Sequence, residues 1–217
     1  MRLHNISILS ACLFSVCLSA QDPHFTQFYS APLSVNPAYT GVFDGQVRIM
    51  SNYRQQWSNA IDPFTTASVS IDAKIGHKKK EMQNPFNIGF QLMNDRSMRG
   101  AFKSNYLTAT ASYHVPMDRE GNKSIGAGLS AGYADRRLDF SSQSFDAQFT
   151  SGGFDLGLPT GESALRQLEP FMSVGAGIVY RYDNAESGNF FDLGVSAYNL
   201  NRPRQSALGD ANQFVPV

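Results

Sequence analysis

The stretch Phe64–Ile75 limits the fold of this chain most, because its side chains alternate without a break. One face carries Ala, Val and Ile at every second position from Ala67 to Ile75. The other face carries Thr, Ser, Asp and Lys from Thr66 to Lys74. A period of two is the side-chain repeat of a β-strand and does not fit a helix. The rest of the chain therefore has to fit around a sheet.

Six further stretches alternate in the same way and are predicted strands. They are residues 46–57, 87–94, 106–115, 124–133, 170–182 and 191–199. Most come close to the roughly 9–11 residues that a tilted membrane strand needs. The stretches between them are rich in Gly, Pro and charge. Two are predicted loops: residues 95–103, and residues 134–169, which form the longest break in the pattern.

Alternation alone leaves two classes open, a soluble secreted β-protein and an outer-membrane barrel. The non-apolar face is Ser, Thr, Gly and Asn with few charges, which suits a lumen better than bulk solvent. Successive turns of a barrel alternate between the two sides of the membrane. If the N-terminus is periplasmic, the long break at residues 134–169 lies on the extracellular side, where barrels have their long loops. We therefore predict an all-β fold, an antiparallel transmembrane β-barrel of the outer membrane. Aromatic residues near the strand ends fit an interfacial girdle: Tyr53, Phe64, Tyr106, Tyr113, Tyr133, Phe171, Tyr180 and Tyr182.

Seven strands do not make a closed single-chain barrel, because bacterial barrels have an even number. An open sheet edge in lipid leaves backbone groups unpaired, at several kcal/mol each. We therefore expect either one more strand after Val217 or the N-terminal portion of a larger barrel. The expected division is a signal peptide at 1–20, an irregular periplasmic-side segment at 21–45, and barrel strands at 46–217 that are incomplete.

The first twenty residues have the build of a secretion signal. Arg2 precedes an apolar core, and Ser19-Ala20 offer a small-residue cleavage site. A lipoprotein box ending at Cys12 is the alternative. With cleavage after Ala20, both cysteines, Cys12 and Cys17, leave with the signal, and the mature chain contains none. That excludes disulfides, a thiolate nucleophile and a Cys-based zinc site.

The segment that follows the signal is too apolar for a solvated tail and too rich in proline for a regular element. Pro23, Pro32 and Pro37 forbid a regular helix or a central strand. A rigid, apolar, irregular segment needs a surface to bury against. We therefore predict burial, against the barrel or a partner, of four aromatic side chains: Phe25, Phe28, Tyr29 and Tyr39.

Catalytic and metal chemistry finds little support, so we predict no enzyme, no cofactor and no metal. The sequence GLSAG around Ser130 matches a nucleophile motif but lies in a strand, not a strand-to-helix turn. The mature histidines lie far apart, and a net charge of +0 does not suggest nucleic-acid binding. Two charged pairs in predicted loops, Asp95-Arg96 and Arg136-Arg137, could grip a cargo carboxylate. Solvated loop charge is the simpler reading.

The chain resembles the PorP/SprF proteins of the type IX secretion system in Bacteroidota. The matching stretches are 21–29, 36–38 with Gly41, 52–57, 64–66, 94–96, 112–116, 129–133, 191–195 and 199–203. The resemblance covers essentially the whole mature chain. It implies a longer protein whose closing strands come later. Candidate partner-binding or structural residues are Phe25, Phe28, Tyr29, Asn36, Pro37, Tyr53, Arg54, Trp57, Asp95 and Arg96.

The resemblance also implies a function. Family members are non-enzymatic outer-membrane components that deliver or anchor secreted surface adhesins, and in gliding bacteria they serve motility. The implied partners are the C-terminal domain of a secreted adhesin, periplasmic components of the secretion and gliding machinery, and outer-membrane lipid. Two alternatives remain, a porin-like outer-membrane channel and a barrel enzyme such as a lipid hydrolase at Ser130.

Overall fold

A computed structural model describes most of the chain beyond the predicted signal. The described residues are 28–57, 63–75, 86–97, 100–139, 145–155, 157–160, 168–184, 188–206 and 214–215. The predicted signal peptide, the lipoprotein box and Phe25 lie outside them.

Seven strands form one antiparallel sheet, which has the shape of a half-barrel. Each strand pairs with the next strand of this sheet along the chain, and the first and last strands are the edges among the described residues. The predicted all-β fold and its seven antiparallel strands are confirmed. The strands are β1 Val47–Gln56, β2 Phe64–Ile75, β3 Phe86–Ser97, β4 Phe102–Pro116, β5 Lys123–Leu138, β8 Phe171–Asn184 and β9 Asn189–Ala197. A separate hairpin comprises β6 Phe149–Thr150 and β7 Gly153–Phe154.

The strands β3, β4 and β5 extend into the predicted loops 95–103 and 134–169, so these loops are wrong at their ends. Asp95 and Arg96 lie in β3, not in a loop, and Arg136 and Arg137 lie in β5. The ladder continues because the polar strand ends still pair: Asp95 lies opposite Ser104, which in turn lies opposite Arg136. Charged residues interrupted the hydropathy pattern here without interrupting the backbone pairing.

The two faces of the sheet have opposite characters. Apolar side chains such as Ile71, Leu129 and Ile178 cover the outer face and are exposed, whereas the inner face is small and polar and largely buried. A soluble sheet buries its apolar face, so this arrangement requires an apolar medium around the outer face. Buried inner-face residues include Thr66, Ser68, Ser70, Asp72, Asn87, Gln91, Ser104, Thr110, Ser112 and Ser130.

The aromatic residues assigned to the girdle do not all lie on the outer face. Tyr106 and Phe171 belong to the inner face, and Phe171 is buried in a small cluster with Ala134 and Val215. Proximity to a strand end was the only sequence signal used, and it ignores which face a side chain takes. Within the described residues, no helix is long and apolar enough to cross a membrane.

Residues 28–46, which we call the plug, cover part of the inner face. They form a 3-10 helix at Phe28–Ser30, a one-turn α-helix at Pro32–Val35 and a second 3-10 helix at Pro37–Tyr39. Pro32 and Pro37 stand in the first turn of the last two, where a missing N–H is not needed. The prolines thus permit single helical turns while forbidding a longer element.

Candidate functional site: the plugged inner face

The plug is fixed to the sheet by the turn Asn36-Pro37-Ala38. Asn36 is buried, and its Oδ1 accepts a hydrogen bond from the backbone N–H of Ala38 at 2.8 Å. Its Nδ2 donates to the carbonyls of Ile178 at 3.1 Å and Val195 at 3.3 Å. Ile178 and Val195 are directly opposite each other in β8 and β9. One amide side chain therefore joins the plug to two strands.

A glycine pair makes the seat for this turn. Gly128 and Gly177 are cross-strand partners in β5 and β8. A Cβ at Gly128 would lie 2.3 Å from the backbone N of Ala38, and one at Gly177 would lie 2.1 Å from Asn36 Oδ1. Side chains cannot approach so closely, so both positions require glycine for the plug to sit here. Gly132, on the same face of β5, would meet nothing nearer than 3.4 Å.

A buried ion pair holds the other end of the plug. Asp72 is 2 % exposed and receives Arg48 through two bonds, Nε to Oδ1 at 2.9 Å and Nη2 to Oδ2 at 2.8 Å. Asp72 Oδ2 also accepts from the backbone N–H of Gly41 at 2.8 Å. Arg48 donates in turn to the carbonyls of Tyr39 and Val42, each at 3.2 Å. The ion pair thus hydrogen-bonds one donor of the plug, the N–H of Gly41, and two acceptors, the carbonyls of Tyr39 and Val42.

Hydroxyl groups of the strands hydrogen-bond further backbone carbonyls of the plug. Ser112 Oγ donates to the Thr40 carbonyl at 2.7 Å, and Ser196 Oγ donates to the Val35 carbonyl at 2.7 Å. The Thr40 and Thr110 hydroxyls lie 2.8 Å apart and share a hydrogen bond. An irregular segment lacks internal partners for its carbonyls, and a polar inner face supplies them.

The phenol of Tyr39 lies in this half-buried region. Burial raises its pKa, the carboxylate of Asp192 adds to that rise, and the guanidinium of Arg181 opposes it. Tyr39 therefore stays neutral at physiological pH. A neutral phenol is the form that the covered inner face tolerates best.

Next to the plug, the inner face contains a cavity of about 110 Å³. Leu33 of the plug, Gln91 of β3, Arg136 of β5 and Tyr198 after β9 are among its walls. The chain after β9 returns to this region, where Gln205 Oε1 accepts from Arg136 Nη1 at 2.8 Å. The cavity is thus bounded by the plug, the sheet and the side chain that holds the returning chain.

Some of the predicted N-terminal site residues are buried in the structure, and one is exposed. Asn36 and Pro37 are buried in the plug. Tyr29 is 66 % exposed, so it is not buried against the described half-barrel, and its burial against further barrel strands or a partner stays a prediction. The first 3-10 helix begins at Phe28. Phe25 lies outside the described residues, so its burial is not addressed.

The remaining predicted residues lie on both faces. Arg54 and Asp95 face inwards, in a row of paired residues that crosses the sheet through Thr66 and Ser104 to Arg136. Tyr53 and Arg96 are exposed on the outer face, and Arg96 Nε donates to Asn94 Oδ1 at 3.0 Å. Trp57 follows β1 with a positive φ of 55° and packs edge-on to Phe64, at 5.1 Å between ring centroids. These residues do not form one site.

Sequence reasoning missed the groups that hold the plug. Asp72 and Arg48 read as ordinary polar positions, although a carboxylate in the middle of a Ser/Thr face is unusual enough to be a signal. Gly126, Gly128 and Gly132 look alike in the sequence, as small residues of the non-apolar face. Ser130, the candidate nucleophile, lies within β5 on the inner face, away from any strand-to-helix turn. Among the described residues no cluster of His, Cys, Asp and Glu could hold a metal ion.

Comparison with known proteins settles the family. A family profile described as type IX secretion system membrane protein PorP/SprF matches residues 18–215 of the 217-residue chain. The chain belongs to this family. No curated protein and no solved structure matches it. As a PorP/SprF protein, the chain is a membrane component of the type IX secretion system, and this is not a known enzyme family.

Proposed function

We propose that this PorP/SprF protein is a non-enzymatic component of the outer membrane that delivers or anchors secreted surface adhesins. The observation that carries the proposal is the contrast between an apolar exposed outer face and an inner face built to hold a polypeptide segment. The inner face offers the plug hydroxyls and a buried ion pair directed at main-chain atoms, and strand carbonyls that accept from the amide of Asn36. A lumen that binds irregular backbone in this way suits polypeptide cargo.

The partners follow from the same arrangement. The outer face, with Ile71, Leu129 and Ile178 exposed, meets outer-membrane lipid. The C-terminal domain of a secreted adhesin would bind on the inner face or its mouth. Periplasmic secretion and gliding components would bind beside the plug, where the exposed Tyr29 offers an aromatic contact. An exposed tyrosine is a frequent anchor at protein interfaces.

A porin-like channel is the competing function, and the plug argues against it. Free diffusion needs an open aqueous lumen, whereas here Pro37 and Ala38 rest directly on Gly128 of the wall. Single-channel recordings on the reconstituted full-length protein separate the two functions. We expect no large steady current, and such a current would contradict the adhesin-binding proposal.

Affinity capture from native membranes tests the proposal directly. The tagged protein is crosslinked in living cells, extracted in mild detergent and captured, and the bound proteins are identified by mass spectrometry. We expect a secreted surface protein together with secretion or gliding components. A matched capture of an unrelated outer-membrane barrel from the same cells gives the background. Recovery of neither class above that background would overturn the proposal.

A further inference from the structure

The long connection between β5 and β8 presents two exposed phenylalanines, Phe149 and Phe154, which we call the aromatic pair. Phe149 of β6 lies opposite Phe154 of β7, and the two rings pack edge-on with 5.1 Å between their centroids. Their exposed fractions are 63 % and 57 %. Because β6 and β7 form a separate hairpin, these rings do not belong to the outer face of the seven-stranded sheet. Two exposed rings in contact form a patch of the kind that marks interaction sites.

The segment around the aromatic pair holds it in one conformation. Gln148, which precedes Phe149, is 3 % exposed. Its Oε1 accepts from the backbone N–H of Phe145 at 3.1 Å, and its Nε2 donates to the carbonyl of Leu158 at 2.9 Å. The backbone N–H of Asp155 donates to the carbonyl of Gln148 at 2.9 Å. The rings are thus presented by a braced turn, so little conformational entropy is lost when they bind a partner.

The connection that carries the aromatic pair is acidic. Residues 139–165 contain no lysine, arginine or histidine, and their acidic residues are Asp139, Asp146, Asp155 and Glu162. Asp146 and Asp155 are exposed and lie directly before and after the hairpin of β6 and β7. An anionic surface repels anionic lipid headgroups and attracts cationic side chains. Charge complementarity therefore favours a cationic partner for the aromatic pair.

Phenylalanine rings already take cations elsewhere in this molecule. The Cζ atoms of Arg202 and Arg204 lie 5.4 and 5.6 Å from the ring centroid of Phe214. A guanidinium stacks on an aromatic face and can donate hydrogen bonds to a carboxylate from its edge. An arginine of the partner could therefore use the rings and the acidic groups of the connection together.

The position of the aromatic pair indicates the side from which the partner comes. Successive connections of an antiparallel sheet alternate between its two ends. The plug leads into the start of β1, whereas the connection between β5 and β8 lies at the opposite end of the sheet, as does the turn between β3 and β4. A partner of the aromatic pair therefore approaches from the end opposite the entry of the plug.

We propose that the aromatic pair is a docking site for a polypeptide segment in which arginine alternates with apolar residues. The guanidinium stacks on Phe149 or Phe154 and donates to the carboxylate of Asp146 or Asp155, while the apolar neighbours cover the remaining ring surface. The inference rests on the proposed function, because the polypeptide would be secreted cargo. It adds a contact outside the inner face, at the far end of the sheet from the plug.

The test uses the full-length protein in zwitterionic detergent micelles and fluorescence anisotropy. The probe is a labelled ten-residue Gly/Ser peptide with Arg-Leu-Arg-Leu at its centre, and the matched probe has Gln-Leu-Gln-Leu there. We expect the arginine peptide to bind about fivefold to thirtyfold more tightly, since two exposed cation–π contacts contribute about 1–2 kcal/mol together. Added salt should weaken the arginine peptide alone, because it screens exposed charges.

Two results of this comparison would overturn the proposal. One is equal affinity of the two peptides, which is the behaviour of a purely apolar surface such as one that contacts lipid. The other is an arginine peptide that does not bind.

Variants locate the binding at the hairpin. The double variant Phe149→Ala with Phe154→Ala should reduce the affinity of the arginine peptide to that of the glutamine peptide. Asp146→Asn with Asp155→Asn removes two charges and keeps the shape, so it should weaken binding less and remove most of the salt dependence. Phe190→Ala is the matched control, because Phe190 is 76 % exposed in β9 and lies at the other end of the sheet.

The variants also have outcomes that contradict the proposal. An equal loss of affinity in Phe190→Ala would show that the peptide binds any exposed ring. If the double alanine variant fails to fold, the double asparagine variant decides alone. Unchanged affinity and unchanged salt dependence in that variant would then overturn the proposal.

Failure of this inference is distinguishable from failure of the proposed function. If membrane capture recovers a secreted protein equally well with and without the aromatic pair, the docking site is wrong and cargo binding stands. If the peptides are discriminated while capture recovers no secreted protein, the docking site exists but adhesin delivery is wrong.

Discussion

The inner and outer faces of one sheet follow opposite rules, although they are made of alternate residues of the same strands. On the outer face, apolar side chains are exposed, and each needs only an apolar surrounding medium. On the inner face, the buried groups are mostly polar, and several have a specific partner, such as Asp72 with Arg48 or Ser112 with the plug. The outer face therefore depends on composition, whereas the inner face depends on individual contacts.

The largest effect should come from the buried ion pair of the inner face. Asp72→Ala leaves Arg48 without its carboxylate and removes the acceptor of the Gly41 N–H. Removing one partner of a buried pair typically costs about 3–5 kcal/mol, because the remaining charge is uncompensated. Urea unfolding of the protein in lipid vesicles measures the loss.

The control for this prediction is Asp135→Ala, which removes the partner of the exposed Arg137. The Arg137 side chain is 73 % exposed and stays hydrated without its partner, so this variant should unfold like the unaltered protein. Equal destabilisation by the two substitutions would show that the inner face does not depend on specific contacts.

The outer face should respond to charge instead of to lost contacts. Leu129 lies near the middle of β5 and is 64 % exposed on the outer face. Leu129→Arg should cost about 2–4 kcal/mol in a bilayer, as expected for a cation near its midplane. Leu129→Met, which keeps the apolar character, is the control. Full stability of Leu129→Arg in vesicles would mean that this face does not contact lipid.

The same contrast explains what the sequence could predict. Phe64–Ile75 has its predicted bounds, because a face that needs only apolar character leaves a periodic signal. The predicted ends of β3 and β5 were wrong, since Asp95 and Arg136 are charged and look like loop residues. The residues that they face on neighbouring strands depend on the strand register, and the register cannot be read from a single sequence.

The site was less predictable than the fold for a related reason. Asn36 and Pro37 were singled out, but their seat on Gly128 and Gly177 was not, because the two glycines lie far apart in the sequence. Arg136 and Gln91 meet at one cavity only after three strands have paired. Local pattern identifies the plug, whereas tertiary contact determines what holds it.

A smaller effect should follow from filling the glycine seat. Gly177→Ala would place a Cβ against Asn36, whose amide bonds to β8 and β9, and the plug has to shift. Overpacking of this kind costs about 1–3 kcal/mol. Hydrogen exchange should become faster in residues 36–41 and remain unchanged in β3 and β4. Gly132→Ala is the matched control, because its Cβ has room.

The smallest effect should come from a single neutral hydrogen bond between the plug and the wall. Thr40 and Thr110 are both buried and share a bond of 2.8 Å between their hydroxyls. A double-mutant cycle with Thr40→Val and Thr110→Val should give a coupling of about 0.5–1.5 kcal/mol, the usual net contribution of such a bond. Valine keeps the shape of threonine, so the coupling reports the bond and not a cavity. Thr108→Val, on the same face of β4, paired with Thr40→Val should show no coupling. A coupling of zero between Thr40 and Thr110 would mean that the plug rests on the wall by shape alone, and that the inner face is less specific than its contacts indicate.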